Sequence, residues 1–87
     1  MITYEGGKGN SIESAIKVIG AECEMDGVSA EYRFLDLNFC SMNKSWILVE
    51  QELWNNEQGS YDRMIIQDEN GRVREIWFDI SDFFGKE

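Results

Sequence analysis

Apolar residues recur at spacings of three and four between residues 26 and 42, which is typical of an amphipathic helix. The helix face that we predict to pack on a sheet contains Val28, Tyr32, Leu35, Phe39 and Met42. Ala30, Phe34 and Leu37 fall on the opposite side. The helix is therefore expected either to be covered on both sides or to expose a small apolar patch.

After Ser45 the period of the apolar pattern becomes two, which predicts β-strands. Three predicted strands span residues 45–54, 61–67 and 72–80 and are joined by hairpin turns. The predicted fold class is α+β, with one main helix packed on an antiparallel sheet of three or four strands and a C-terminal β-meander. The final segment, SDFFGKE, should form a short C-terminal helical turn that folds at least one of its two phenylalanines onto the core edge.

The turn DENGR between the last two strands allows two registers. A two-residue Asn-Gly turn would place Asp62 opposite Asp79, at the cost of like-charge repulsion. A type I turn that ends with Gly71 in a left-handed conformation instead places Met64 opposite Ile76. We predict the second register because it separates apolar from polar side chains.

With this register, the two faces of the predicted sheet differ in chemistry. The face toward the helix should contain Met64, Ile66, Ile76, Phe78 and Ile80, together with Ile47, Val49 and Leu53. The outer face should contain Trp46, Glu50, Glu52, Trp54, Tyr61, Arg63, Trp77 and Asp79. Tryptophan and tyrosine are enriched among the residues that dominate binding at protein interfaces. We therefore predict that the outer residues form a protein-binding surface.

Residues 1–20 leave two questions open. The glycine-rich stretch at residues 6–11 predicts a loop, while residues 11–20 suit either a helical turn capped by Ser11 or a short strand that ends at Gly20. The segments MITYE and AIKVIGA could also fold over the outer tryptophans as a second layer. That arrangement and an open binding face are equally compatible with the pattern.

Seventeen acidic and eight basic residues give a formal net charge of −9. This charge would repel a phosphate backbone, so direct nucleic-acid binding is not expected, and it favours a basic protein partner. The chain has no histidine, which excludes Ser/His and Cys/His nucleophile pairs. Cys23 and Cys40 lack C-x-x-C spacing, so we expect free thiols, no metal site and no cofactor.

The length of 87 residues predicts a single domain over residues 1–87. No apolar run approaches the roughly 18 residues of a membrane helix. The first residues also lack the basic and apolar regions of a signal peptide. We therefore expect a soluble, cytoplasmic protein without a membrane partner.

Three functional hypotheses are compatible with these features. The first is a small acidic, non-enzymatic binding module, for example an inhibitor or immunity-type protein that blocks a basic partner such as a nuclease or toxin. The second is a structural subunit that assembles with itself, as a homodimer, through the exposed sheet. The third is an enzyme that uses a carboxylate pair, Asp79 with Glu50 or Glu52, and it is the weakest because a flat sheet face rarely buries a substrate.

Overall fold

The computed structural model describes residues 1–40, 42 and 44–86. These residues form one α-helix and five strands, in the order β1 (Thr3–Gly6), β2 (Ile16–Ile19), α1 (Glu24–Phe39), β3 (Ile47–Asn56), β4 (Gly59–Gln67) and β5 (Val73–Asp79). The strands form one sheet in the order β1-β2-β5-β4-β3. Strand β2 runs parallel to β5, and the other neighbouring strands are antiparallel. The fold is therefore α+β with a mixed sheet.

The predicted α+β class and C-terminal meander are confirmed, but the predicted antiparallel sheet of three or four strands is too small. The additional strands come from the first twenty residues, where residues 11–14 form a turn and Ile16–Ile19 form a strand. Strands β1 and β2 have only four residues each, too few to separate a period of two from a helical period. Their position depends on pairing with β5, which lies at the other end of the chain.

The register predicted for the hairpin of β4 and β5 is confirmed. Met64 lies opposite Ile76, and Gly71 has a left-handed φ of 82°. The Gly71 N–H donates to the Asp68 carbonyl at 2.9 Å, and the Asp68 carboxylate accepts a second bond of 2.9 Å from the Arg72 N–H. The turn is therefore held by both the backbone and the side chain of Asp68.

A β-bulge reverses the predicted alternation at the start of β3. Leu48 is paired with Ile66, whereas Glu50 is paired with the preceding residue of β4, so Val49 is an extra residue. Because Ile66 belongs to the buried core, Leu48 faces the helix, whereas Ile47, which was predicted to do so, faces outward. Residues from Glu50 onward keep their predicted faces.

Helix α1 presents to the sheet a face that agrees with the prediction at Leu35, which is buried, and at Phe39, which packs against the core, but differs at the other positions. Its buried residues are Gly27, Ala30, Glu31 and Leu35. Val28 and Tyr32 are exposed, and Met42 lies beyond the last helical residue. Phe34, predicted for the far side, packs edge-on against Phe78 with ring centroids 5.6 Å apart. The prediction failed at these positions because it counted only large apolar residues, whereas the helix also approaches the sheet through Gly27, Ala30 and Glu31.

Residues 81–85 form turns rather than the predicted helical turn. The N–H groups of Phe83 and Phe84 both donate to the Ile80 carbonyl, at 3.1 and 2.9 Å. Phe83 is buried, as predicted for at least one of the pair, and Phe84 is exposed. A Cβ atom added at Gly27 would lie 2.4 Å from the Phe83 ring. The end of the chain thus packs directly on the first turns of α1.

We expect Gly27→Ala to destabilise the protein, although alanine normally stabilises a helix interior by about 1 kcal/mol relative to glycine. The added methyl group would overlap the buried Phe83 ring, and overpacking of this kind costs about 1–3 kcal/mol. Urea unfolding measures the change in unfolding free energy. Ser29→Ala, at an exposed position of the same helix, is the matched control and should be nearly neutral. A Gly27→Ala variant as stable as this control would contradict the packing of Phe83 on the helix.

Gly71→Val should destabilise the hairpin by about 1 kcal/mol or more, because a β-branched residue is strained in the left-handed region. No atom of the described residues lies within 4 Å of a Cβ added at Gly71, so backbone strain rather than a clash is the cause. Gly71→Asn should retain most of the stability, since asparagine tolerates this conformation. Thermal unfolding compares the variants, and equal melting temperatures would argue against the left-handed turn.

Candidate functional site

The centre of the outer sheet face is covered rather than open. Trp77 and Tyr61, both predicted as binding residues, are each only 7% exposed and pack with Ala15 and Ile12. The covering residues belong to the N-terminal loop, by which we mean residues 7–15 between β1 and β2. Neither aromatic ring is therefore available to a partner in this conformation.

The N-terminal loop is fixed to β5 by a backbone hydrogen bond. The Trp77 N–H donates to the Gly9 carbonyl at 2.7 Å. Gly9 has a φ of 83°, and a Cβ atom there would lie 2.7 Å from the Ile16 side chain, so the close approach favours glycine. The segments MITYE and AIKVIGA, considered as a second layer, instead contribute β1 and β2 to the sheet. The loop between them forms the cover.

Arg63 lies at the centre of an ion-pair network on the outer face. Its guanidinium group donates to Glu52 at 2.6 Å and to Glu75 at 2.7 Å, and lies 6.0 Å from the centroid of the Trp77 ring. The Trp77 indole N–H also donates to Glu75 at 3.0 Å. These hydrogen bonds, first from Trp77 and then from Arg63, hold the pKa of Glu75 below its ordinary value. The positive charge of Arg63 thus offsets part of the negative charge of both Glu52 and Glu75.

The predicted carboxylate pair is not formed. Glu52 lies opposite Arg63 in β4, whereas Asp79 lies opposite Tyr61. The Asp79 carboxylate accepts a hydrogen bond of 3.0 Å from the Ser81 N–H. Asp79 is therefore separated from Glu52, and still further from Glu50, across the sheet.

The three predicted tryptophans have three different environments. Trp54 is on the outer face, is 46% exposed, and meets the covered Trp77 ring edge-on at a centroid distance of 5.5 Å. Trp46 lies on the helix side because of the bulge in β3, and its indole N–H donates to Asp36 at 2.8 Å. Its predicted place on the outer face is therefore wrong. Trp54 is the member of the three that the fold presents to solvent.

A row of exposed apolar side chains lies along β3, the last strand of the sheet. We call residues 47–56 of this strand the β3 edge. Its exposed large apolar residues are Ile47, Leu48, Val49, Leu53 and Trp54. Three of these, Ile47, Val49 and Leu53, were predicted to be core. The bulge at Val49 turns Ile47 outward. Leu53 lies on the helix side but stays exposed because the helix does not cover this end of the sheet. The β3 edge also carries Glu50 and Glu52, so it combines apolar area with negative charge.

Two acidic side chains lie together inside the protein. Glu31 of α1 is 1% exposed, and Asp62 of β4 is also buried. Neither carboxyl oxygen of Glu31 has a hydrogen-bond partner of regular geometry among the described residues. Burial, and after it the interaction with the nearby Asp62 carboxyl group, raises the pKa of Glu31 to about 10. Glu31 is therefore protonated at neutral pH.

Sequence reasoning missed this buried pair, although two signals pointed to it. The predicted register places Asp62 on the helix-facing side, two residues before Met64. Glu31 precedes the buried Leu35 by one helical turn.

Nowhere in the described part of the chain do three or more cysteine, aspartate or glutamate side chains form a group that could hold a metal ion.

Comparisons with models of protein families, with curated proteins and with solved structures found no match for this chain. Within residues 1–40, 42 and 44–86, no helix combines the length and apolar character needed to cross a membrane.

The raised pKa of Glu31 leads to a defined pH dependence of stability. Its pKa is about 10 in the folded protein and about 4.5 without the protein environment. The folded state therefore binds more protons, so the free energy of unfolding falls as the pH rises through this interval, by at most about 1.4 kcal/mol per pH unit. The pKa values of Asp68, held down first by Arg74, and of Glu75 are lowered, so their stabilising contributions are lost only at acid pH.

Glu31→Gln should flatten this loss of stability, because glutamine has no proton to release. Urea unfolding at about pH 5, 7 and 9 measures the slope. Glu22→Gln, a substitution at an exposed position, is the matched control and should keep the wild-type slope. Identical slopes in wild type and Glu31→Gln would mean that Glu31 is not buried in its uncharged form.

Proposed function

We propose that the protein is a small acidic binding module without enzymatic activity, which occludes a basic surface of a partner protein in the cytoplasm. An inhibitor or immunity-type protein that blocks a nuclease or toxin is the form of this function that fits best. The observation that carries the proposal is the exposed β3 edge, where Glu50, Glu52 and Trp54 share the outer face. This surface belongs to a chain with a net charge of −9.

Trp54 is the residue that we expect to contribute most to binding. Its ring is exposed but rests edge-on against the covered Trp77 ring, so binding would cost little additional side-chain freedom. Aromatic anchors at the centre of an interface commonly dominate its energy. Glu50 and Glu52 would act differently, by attracting a basic partner before contact.

The other predicted binding residues have supporting positions in this proposal. Trp77, Tyr61 and Arg63 lie beneath or beside the exposed residues and hold them in place. Asp79 is on β5, two strands away from β3, and Trp46 is on the opposite face of the sheet. The proposed contact surface is therefore narrower than the one predicted from the sequence and centres on the β3 edge.

A self-assembling subunit is the second candidate, because the β3 edge exposes apolar side chains at the end of a sheet. Light scattering after size-exclusion chromatography separates the two functions. A module for a basic partner should be monomeric alone at low and high salt, whereas apolar self-assembly should give a dimer under both conditions. An enzyme has less support, since Asp79 lies apart from Glu50 and Glu52.

Trp54→Ala should weaken binding to the partner by about 2 kcal/mol or more while leaving the melting temperature nearly unchanged. Trp77→Ala removes the same side chain from a covered position, and should instead destabilise the fold by about 3–5 kcal/mol. Isothermal titration and thermal unfolding of both variants provide the comparison. Weaker binding in Trp77→Ala without loss of stability, together with unchanged binding in Trp54→Ala, would place the contact surface at Trp77 rather than at the β3 edge.

The partner itself can be sought by affinity capture from the native host, followed by kinetic measurements on the purified pair. The proposal requires a basic partner, an association rate constant that falls as salt rises from about 50 to 500 mM, and loss of the partner's own activity in the complex. Association that does not depend on salt, or a partner that stays fully active, would contradict it.

A further inference from the structure

We propose that the β3 edge binds its partner by strand addition, in which an extended basic segment pairs with residues 50–56 as an antiparallel sixth strand. This inference rests on the proposed function and specifies how the acidic module holds its partner. Edge strands present a row of unpaired backbone groups, and an added strand satisfies them with main-chain hydrogen bonds.

The hydrogen bonds of β4 show which backbone groups of β3 face outward. The Ile80 N–H donates to the Ser60 carbonyl at 2.9 Å, and the Asp68 N–H donates to the Arg72 carbonyl at 2.8 Å. In a continuous antiparallel register, even-numbered residues of β4 therefore bond to β5 and odd-numbered residues bond to β3.

The odd-numbered residues of β4 are paired with Glu50, Glu52 and Trp54, whose backbone groups are thus used within the sheet. The N–H and carbonyl groups of the alternating residues, Gln51, Leu53 and Asn55, point to the free edge. Residues 50–56 follow the bulge and have a regular register. They therefore offer a continuous template for an added strand.

The side chains along this template define the chemistry of the added segment. Glu50 and Glu52 lie on the outer side, and within the described residues only Glu52 has an ion-pair partner, Arg63. Leu53 lies on the helix side and is 52% exposed. A complementary segment has lysine or arginine on its outer side, opposite the glutamates, and aliphatic residues on its inner side, over Leu53.

A second copy of this chain fits the β3 edge less well than a basic segment. A two-fold antiparallel pairing centred on Gln51 places Glu50 opposite Glu52 twice. Centring the pairing on Glu52 places that glutamate opposite its own copy. Each copy also carries a net charge of −9. Charge repulsion therefore disfavours pairing of two copies centred on Gln51 or Glu52, whereas a basic partner would be attracted.

A synthetic nine-residue peptide of alternating lysine and valine, blocked at both ends, is a suitable probe. We expect the intact protein to bind it, with an affinity that falls by about fivefold or more between about 50 and 300 mM salt. In the antiparallel arrangement the lysines lie opposite the glutamates and the valine N–H groups bond to β3.

Gln51→Pro tests the role of the outward backbone group. It removes the Gln51 N–H without removing a bond to β4, and proline is tolerated at such edge positions. We expect peptide affinity to fall by about tenfold or more, whereas Gln51→Thr, which loses the same side chain but keeps the N–H, should bind within about twofold of wild type. Equal affinities of these variants would overturn strand addition. Melting temperatures establish that both variants are folded.

Two backbone-methylated peptides test the same inference without altering the protein. They show whether strand addition occurs even if Gln51→Pro does not fold. Methylation of the backbone nitrogens of the valines should abolish binding, because these N–H groups bond to β3. Methylation of the backbone nitrogens of the lysines, which point away from β3, should preserve it. Equal binding of the two isomers would show attraction by charge alone, which overturns strand addition but leaves the acidic-module proposal standing.

The remaining outcomes also decide between the proposals. No binding of the unmethylated peptide at about 1 mM overturns strand addition, while the acidic-module proposal is decided separately by the native partner. Salt-independent dimerisation of the protein through the β3 edge would overturn both in favour of self-assembly.

Discussion

The parallel pairing of β2 with β5 is the interaction on which the rest of the structure depends. It places Ile16 opposite the fully buried Phe78 and joins the N-terminal hairpin to the C-terminal meander in one sheet. Both residues belong to the core cluster under α1. The N-terminal loop reaches the outer face beside this pairing, and its Gly9 carbonyl accepts a hydrogen bond from Trp77. The core and the cover on the opposite face are therefore set by the same contact between distant segments.

This arrangement distributes exposure unevenly across the sheet. Strand β5, in the middle, is packed under α1 on one face and under the N-terminal loop at Trp77 on the other. Strand β3, at the end, pairs with β4 alone among the described strands and retains exposed apolar residues on both faces. The contrast is also electrostatic, because Glu31 is buried and protonated whereas Glu50 is exposed. The β3 edge therefore combines available surface with available charge, which is why the proposed function centres on it.

The alternation of residues predicted part of the candidate site correctly. Glu50, Glu52 and Trp54 lie on the outer face as predicted, because the strand is regular after its bulge. Trp46 lies on the other face, since the extra residue at Val49 shifts the alternation by one. A period of two assigns a side chain to a face, but it carries no information about what another segment places over that face. For the same reason the burial of the central aromatic residues could not be predicted.

The sequence by itself determined the features that depend on neighbouring residues: the α+β class, the helix within its central segment, and the hairpin register around Gly71. These follow from local backbone preferences and from the period of the apolar pattern. The tertiary structure alone decided the rotation of α1, the parallel position of β2 and the covering of Trp77 by the N-terminal loop. Each of these depends on close packing between segments far apart in the chain, such as Phe83 against Gly27. Contacts of this kind are chosen by complementary shape across the whole core, which a local pattern does not encode.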